Sequence, residues 1–288
     1  MPTMPLTKTS PPSPVASEPN AASAASATAA ESLTASVSAY VSKGGFQKLI
    51  FIVSLLGATL FHRSAASLAR LFERLFGKVN VGGAELIPQS GSFTLAVNHF
   101  HGAWTPFVAA AVLAAVGRQR PDVIDETAIV IGKRNDDGKK RVFIARWIRG
   151  VVLWVLEKWQ HNILRIPLGN KNASAGSLEA LRTWKRVAKE RPTLVFPEGL
   201  ASVTFERVRP NAGVFVRTLG VPCVPCAVWW HQGEWHVEFD APILWVENQE
   251  LSDLQVGLSI ARLLPADLTP NWSDALTRWN RAHEANSQ

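Results

Sequence analysis

Asn98-His99 follows directly on the apolar run Phe93 to Val97, and Phe196-Pro197-Glu198-Gly199 closes a second apolar run that starts at Thr193. An imidazole delivered by a rigid strand to the edge of a cleft suits general-base chemistry near neutral pH. In open α/β sheets, functional groups gather where strands end and helices begin, which singles out both places. Taken singly, neither is decisive: a lone His is more often structural, and Pro-Glu-Gly is an ordinary turn. Other reactive types are sparse. Cys223 and Cys226 have Cys-x-x-Cys spacing but no second ligand pair, and small apolar residues are expected filler in the strand they occupy. His161, His231 and His236 lack partners at metal-ligand spacing, so no metal site is expected.

The elements that must position these residues alternate along the chain. Val79 to Gly82, Phe93 to Val97, Thr127 to Ile131, Ile163 to Ile166, Thr193 to Phe196, Val221 to Trp230 and Trp235 to Phe239 read as strands. Helices fit between them. One opens with Thr105 as N-cap and Pro106 at its first position and stops at Gly117; others span Arg141 to Trp159, Ser177 to Lys189 and Asn211 to Leu219. Two more, Leu254 to Leu264 and Ser273 to Ala285, close the chain. The pattern predicts an α/β fold with a mostly parallel central sheet flanked by helices.

The organisation predicted is a low-complexity tail over residues 1–36, a helical region over 37–78 and one α/β domain over 79–288. The tail is rich in Ala, Ser, Thr and Pro and has too few large apolar residues to build a core. It is Ser-rich and acid-poor, as organelle targeting segments are, but holds no Arg. Leu49 to Phe61 is nearly all apolar yet shorter than the ~18 residues of a membrane-spanning helix. Leu68, Leu71, Phe72, Leu75 and Phe76 then recur at helical spacing, with Arg63, Arg70, Arg74 and Lys78 mostly elsewhere, giving a basic amphipathic helix. Its stripe suits either a membrane surface or the protein's own sheet. The net charge of +7 favours anionic surfaces, and eleven Trp against one Tyr favour an apolar-to-water boundary.

In this order and spacing the two strand-end sites resemble the glycerol-phosphate and lysophospholipid acyltransferase family. That family pairs Asn-His-x4-Asp with Phe-Pro-Glu-Gly-Thr-Arg-Ser, followed by a Gly-containing helix and a Val-Pro-Val-Val-Pro-Val strand. Asn98-His99, Phe196 to Gly199, Ser202, Gly213 and residues 221–227 match, and Ile131-Gly132-Lys133-Arg134 resembles the family's basic segment after its third strand. The resemblance implies acyl transfer from acyl-CoA or acyl carrier protein, as co-substrate, to a lysophospholipid or glycerol-phosphate-type hydroxyl. His99 would be the base and Asn98 would support its turn. Pro197, Glu198 and Gly199 would belong to the acceptor site, and Lys133, Arg165, Arg207, Arg209 or Arg217 would meet its phosphate. No bound cofactor and, without a nucleic-acid motif, no nucleic-acid partner are expected, and the basic amphipathic region favours a peripheral or monotopic place on a phospholipid membrane, at its cytoplasmic face.

The departures are specific. Trp104 stands five positions after His99, where the family has Asp, Thr105 stands before the helix-opening Pro106, where that Asp often lies, and Leu200-Ala201 replaces Thr-Arg. The intermediate motif reads Arg165-Ile166-Pro167-Leu168-Gly169, with Leu168 in the Arg position. Asp122, Asp125, Glu126 or a backbone carbonyl would have to orient His99. A second reading follows, of a lipid-binding or scaffold relative that kept the fold and lost the chemistry. A third, nucleic-acid binding, rests only on the charge of Lys133, Arg134, Lys139, Lys140 and Arg141.

Overall fold

The structure, a computed structural model, describes residues 45–60, 64–101, 105–134, 163–168 and 174–286. The 1–36 tail, the 141–159 helix, Trp104, His161 and the basic run from Lys139 to Arg141 lie outside these residues.

Seven strands form one sheet: β1 (Asn80–Gly82), β2 (Thr94–Val97), β3 (Ala128–Arg134), β4 (Ile163–Leu168), β5 (Thr193–Val195), β6 (Cys223–His231) and β7 (Glu234–Phe239). Their spatial order is β1-β7-β6-β2-β5-β3-β4. Every neighbouring pair is parallel except β6 and β7. That exception has a local cause. Only Gln232 and Gly233 separate β6 from β7, both at positive φ (50° and 92°), as a primed hairpin turn requires.

β2 is central, between β6 and β5, and all four of its residues are buried. A strand covered on both faces has no polar side to display, which explains the unbroken apolar run that precedes Asn98. Helix α3 (Thr105–Gln119) packs on β6 and β7, and α6 (Ser252–Ala261) on β6 and β2. Residues Phe107 to Val116 of α3 are buried all round, and their Ala content lets neighbouring elements approach closely. The expected stop of α3 at Gly117 is overrun by two residues. Gly117 serves packing instead: a Cβ there would lie 2.7 Å from Ile124 Cδ1.

The remaining helices are α1 (Gly45–Leu60), α2 (Ala65–Phe76), α4 (Ser174–Glu190), α5 (Ala212–Thr218) and α7 (Ser273–Asn286). The apolar stripe of α2 turns inward, with Leu68 and Phe72 in the core. Phe51 of α1, 1% exposed, joins it and packs on Phe72, Phe76 and Phe107. The other face of α1 is unlike this: Phe46, 74% exposed, lines up with exposed Leu49 and Val53 at helical spacing. Among the described residues no helix is long and apolar enough to cross a membrane.

Candidate active site

The parallel register of β2 and β5 brings the two sequence motifs together. Thr94 pairs with Thr193 and Ala96 with Val195, and the same offset carried past the strand ends sets His99 against Glu198. The contact is direct, since the His99 backbone N–H donates to Glu198 Oε2. Beyond it the two loops stay paired. Ser202 N–H donates to the His99 carbonyl (3.2 Å), His101 N–H donates to the Ser202 carbonyl (2.8 Å), and Phe100 bridges Ser202. His101 adopts a φ of 44°, a left-handed conformation uncommon outside glycine, to keep this pairing.

Asn98 is buried and fully bonded. Its Nδ2 donates to the Val228 carbonyl (2.9 Å) and its Oδ1 accepts from Val228 N–H (2.6 Å). The side-chain amide thus replaces one rung of the β2–β6 ladder just where β2 ends. The ladder therefore ends at Asn98, whose side chain is spent on β6 and can affect the next residue only through its placement.

The His99 ring stacks on Phe196 with centroids 4.5 Å apart, and its Nε2 lies 2.7 Å from Thr105 Oγ1. Its Nδ1 is buried with no hydrogen-bond partner among the described residues. Burial pulls the imidazole down to about 4, so the ring is neutral at physiological pH. Glu198, 7% exposed, moves the other way. Desolvation raises it to about 8 against the opposing pull of His99 N–H and the Ser202 hydroxyl, and Glu206 adds a smaller upward push. Both central groups therefore stand uncharged near neutral pH.

Gly199 takes φ of +68° in the turn after Glu198, and a Cβ there would sit 3.1 Å from Arg209 Cδ. Pro197 is buried, and its carbonyl accepts from Arg209 N–H (2.9 Å). Arg209 is thus the sequence-selected cation packed against the second motif. Arg207 is exposed two residues earlier, and Arg217 is engaged with the Val246 carbonyl (2.6 Å). Lys133 and Arg165 lie on β3 and β4, where Ile131 pairs with Arg165 and Lys133 with Pro167. Of the carboxylates offered as partners for His99, Asp122 pairs with Arg120 (2.8 Å) and Asp125 accepts from Ala66 N–H at the start of α2 (3.1 Å). Cys223 and Cys226 are buried free thiols inside β6, and desolvation pushes Cys223 up to about 12. They are inert filler.

Two contributors were given no role at the site from the sequence. Thr105, read as a helix cap and as standing ahead of Pro106 where the resembled family's Asp often lies, is the side chain that meets His99 Nε2. Lys48 of α1 is the other. Its charge, after desolvation, helps to lower His101, so α1 brings a cation to the edge of this loop.

Comparison with solved structures finds a distant likeness. The crystal structure of the 1-acyl-sn-glycerophosphate (LPA) acyltransferase PlsC from Thermotoga maritima is similar at 16% identity, with a TM-score of 0.46, over 76% of this chain and 91% of that one. No protein-family model and no curated protein matches the chain. A likeness this distant leaves fold and site to be argued from the residues themselves.

Proposed function

We propose that the protein is an acyltransferase that moves a fatty acyl group from a thioester of CoA or acyl carrier protein to the hydroxyl of a lysophospholipid or glycerol-phosphate-type acceptor, with His99 as base. The observation that carries this reading is the β2–β5 register, which joins the two motifs into one buried site at the carboxyl ends of adjacent parallel strands.

The step itself is simple. A neutral imidazole nitrogen takes the acceptor O–H proton as the oxygen attacks the thioester carbonyl carbon. The tetrahedral intermediate then expels the thiolate, and the imidazolium returns the proton to sulfur. If Nε2–H donates to Thr105 Oγ1, the Nδ1 lone pair is the base; if the acceptor hydroxyl displaces Thr105, Nε2 is. The amides of His99 and His101 are committed to Glu198 and Ser202, so oxyanion donors would come from other residues. Arg209 beside Gly199 would meet an anionic headgroup, with Lys133, Arg165 and Arg207 as further cations. Exposed Phe46, Leu49 and Val53 on α1, with basic Lys48 among them, favour work at a phospholipid surface.

Purified protein incubated with labelled acyl-CoA or acyl carrier protein and a panel of lysolipids is expected to transfer label, and His99→Ala to lower the rate by about a thousandfold or more. Transfer undiminished in that variant overturns the base assignment. Vesicle flotation tests the surface claim: replacing Phe46, Leu49 and Val53 together by Asp should release the protein, because none of the three is buried.

One observation favours a second reading, a lipid-binding relative with impaired chemistry. A hydroxyl rather than a carboxylate meets the ring, and a base held near 4 is poorly matched to neutral pH. Lysolipid binding without transfer to any acceptor would select it.

A further inference from the structure

We infer that Glu198 is a protonated positioning residue that holds His99 in place, rather than an ionised carboxylate facing the acceptor; this rests on the acyltransferase reading of the site. Both of its oxygens are spent inside the protein. Oε2 accepts the His99 backbone N–H, and Oε1 lies 3.2 Å from Ser202 Oγ. Ser202 Oγ in turn lies 2.5 Å from the Thr204 carbonyl oxygen.

Proton counting sets the state. A serine hydroxyl owns one hydrogen, and a carbonyl can only accept. The much shorter contact claims that hydrogen for Thr204. Glu198 Oε1, at 3.2 Å, then receives only a weak share of it, and the free Ser202 lone pair can accept the O–H of a carboxylic acid. The same assignment makes Oε2 the carbonyl oxygen, which still accepts the His99 N–H. The result is a one-way chain from Glu198 O–H to Ser202 Oγ and from Ser202 O–H to the Thr204 carbonyl.

Burial and Glu206 push toward the protonated form, against the His99 amide. The charged and titratable groups around Glu198 are the His99 ring, neutral near pH 7, with His101 on the paired loop, Glu206, whose charge opposes ionisation, and Arg209 across Gly199. Burial keeps the proton on to about pH 8. Ser202 acquires a purpose as well: it completes the clamp, while the two intervening residues, Leu200 and Ala201, take no part in it.

Infrared difference spectroscopy of the full chain tests this directly. At pH 7 a protonated-carboxyl C=O band is expected, lost in Glu198→Gln, kept in Glu238→Gln as the control, and titrating away near pH 8 in the wild type. A folded wild-type protein without that band at pH 7 overturns the proposal whether or not any variant folds. Kinetics give a second readout. A Gln amide accepts from His99 N–H and donates to Ser202, so Glu198→Gln should cost less than about tenfold in kcat, and Glu198→Ala about a hundredfold. Because the groups are clamped to each other, KM should move little in either. Loss as deep in Gln as in Ala, or a loss carried by KM, overturns the positioning role. Absence of transfer in the wild type would instead refute the acyltransferase reading, and the infrared band would still decide the protonation state.

Discussion

The ends of β2 and β5 are neighbours of similar polarity, yet they spend their hydrogen bonds differently. At the β5 end everything is committed: Glu198 to His99 and Ser202, the Pro197 carbonyl to Arg209, the Gly199 amide to the Phe196 carbonyl (3.1 Å). At the β2 end, Asn98 is saturated by Val228, but the very next side chain keeps Nδ1 unpartnered and has only a hydroxyl on Nε2. A saturated group is scaffold; His99 Nε2, whose one partner is a hydroxyl, has a bond it can exchange. The pair of loops therefore divides the labour, with the β5 end as frame and His99 as the position that retains bonding capacity.

The strongest way to break this contrast is to unsaturate the scaffold. Asn98→Ala should orphan both the N–H and the C=O of Val228 and destabilise the protein by about 2–4 kcal/mol, read from the urea midpoint. A change under about 0.5 kcal/mol would mean that Asn98 is not the ladder rung described here.

Altering the open end should act on chemistry rather than on folding. Thr105→Asp places a carboxylate on the His99 ring, so the imidazole should titrate well above its present value of about 4, followed by NMR, and the rate at pH 7 should rise by about tenfold or more. Thr105→Val decides between the two geometries of attack. A fall in kcat means the hydroxyl orients the ring; a fall in KM means it occupies the acceptor's place.

The pH dependence of stability separates the two buried groups. The folded state keeps the Glu198 proton to about pH 8, whereas the ordinary value is 4.5. The stability it contributes is therefore complete below about 4.5 and is lost as pH climbs to about 8. His99 acts in the opposite sense, holding at about 4 against an ordinary 6.5, so its contribution is present above 6.5 and is lost as pH falls toward 4. Calorimetry from pH 6.5 to 8 should show the wild-type Tm falling relative to Glu198→Gln; parallel curves would leave Glu198 with an ordinary acidity. The smallest effect is expected at Gly199→Ala, about 1 kcal/mol or slightly more, from the left-handed turn and the contact with Arg209.

Much of this was legible without coordinates. Strand ends were recoverable because β2, β5 and β6 are buried on both faces, leaving continuous apolar runs cut off by the first polar residue. Their pairing was not written in either run: the register that sets His99 on Glu198 depends on β5 inserting between β2 and β3, a choice made by the whole sheet. The α2 stripe shows the same limit. Leu68 and Phe72 are equally consistent with lipid or core until α3 and Phe51 are seen to cover them.

The sequence by itself determined the α/β alternation, the two polar strand ends and the presence of Trp104 and Thr105 rather than a carboxylate after His99, since these follow from local periodicity and residue identity. Only the tertiary structure decided what each polar atom meets. Thr105 on His99, Val228 on Asn98 and Ser202 on Glu198 bring together residues separated by 6, 130 and 4 positions, and the first two answer to no local rule. Protonation was decided there too, because desolvation depends on what surrounds a group, and a chain listing of His and Glu carries no measure of that.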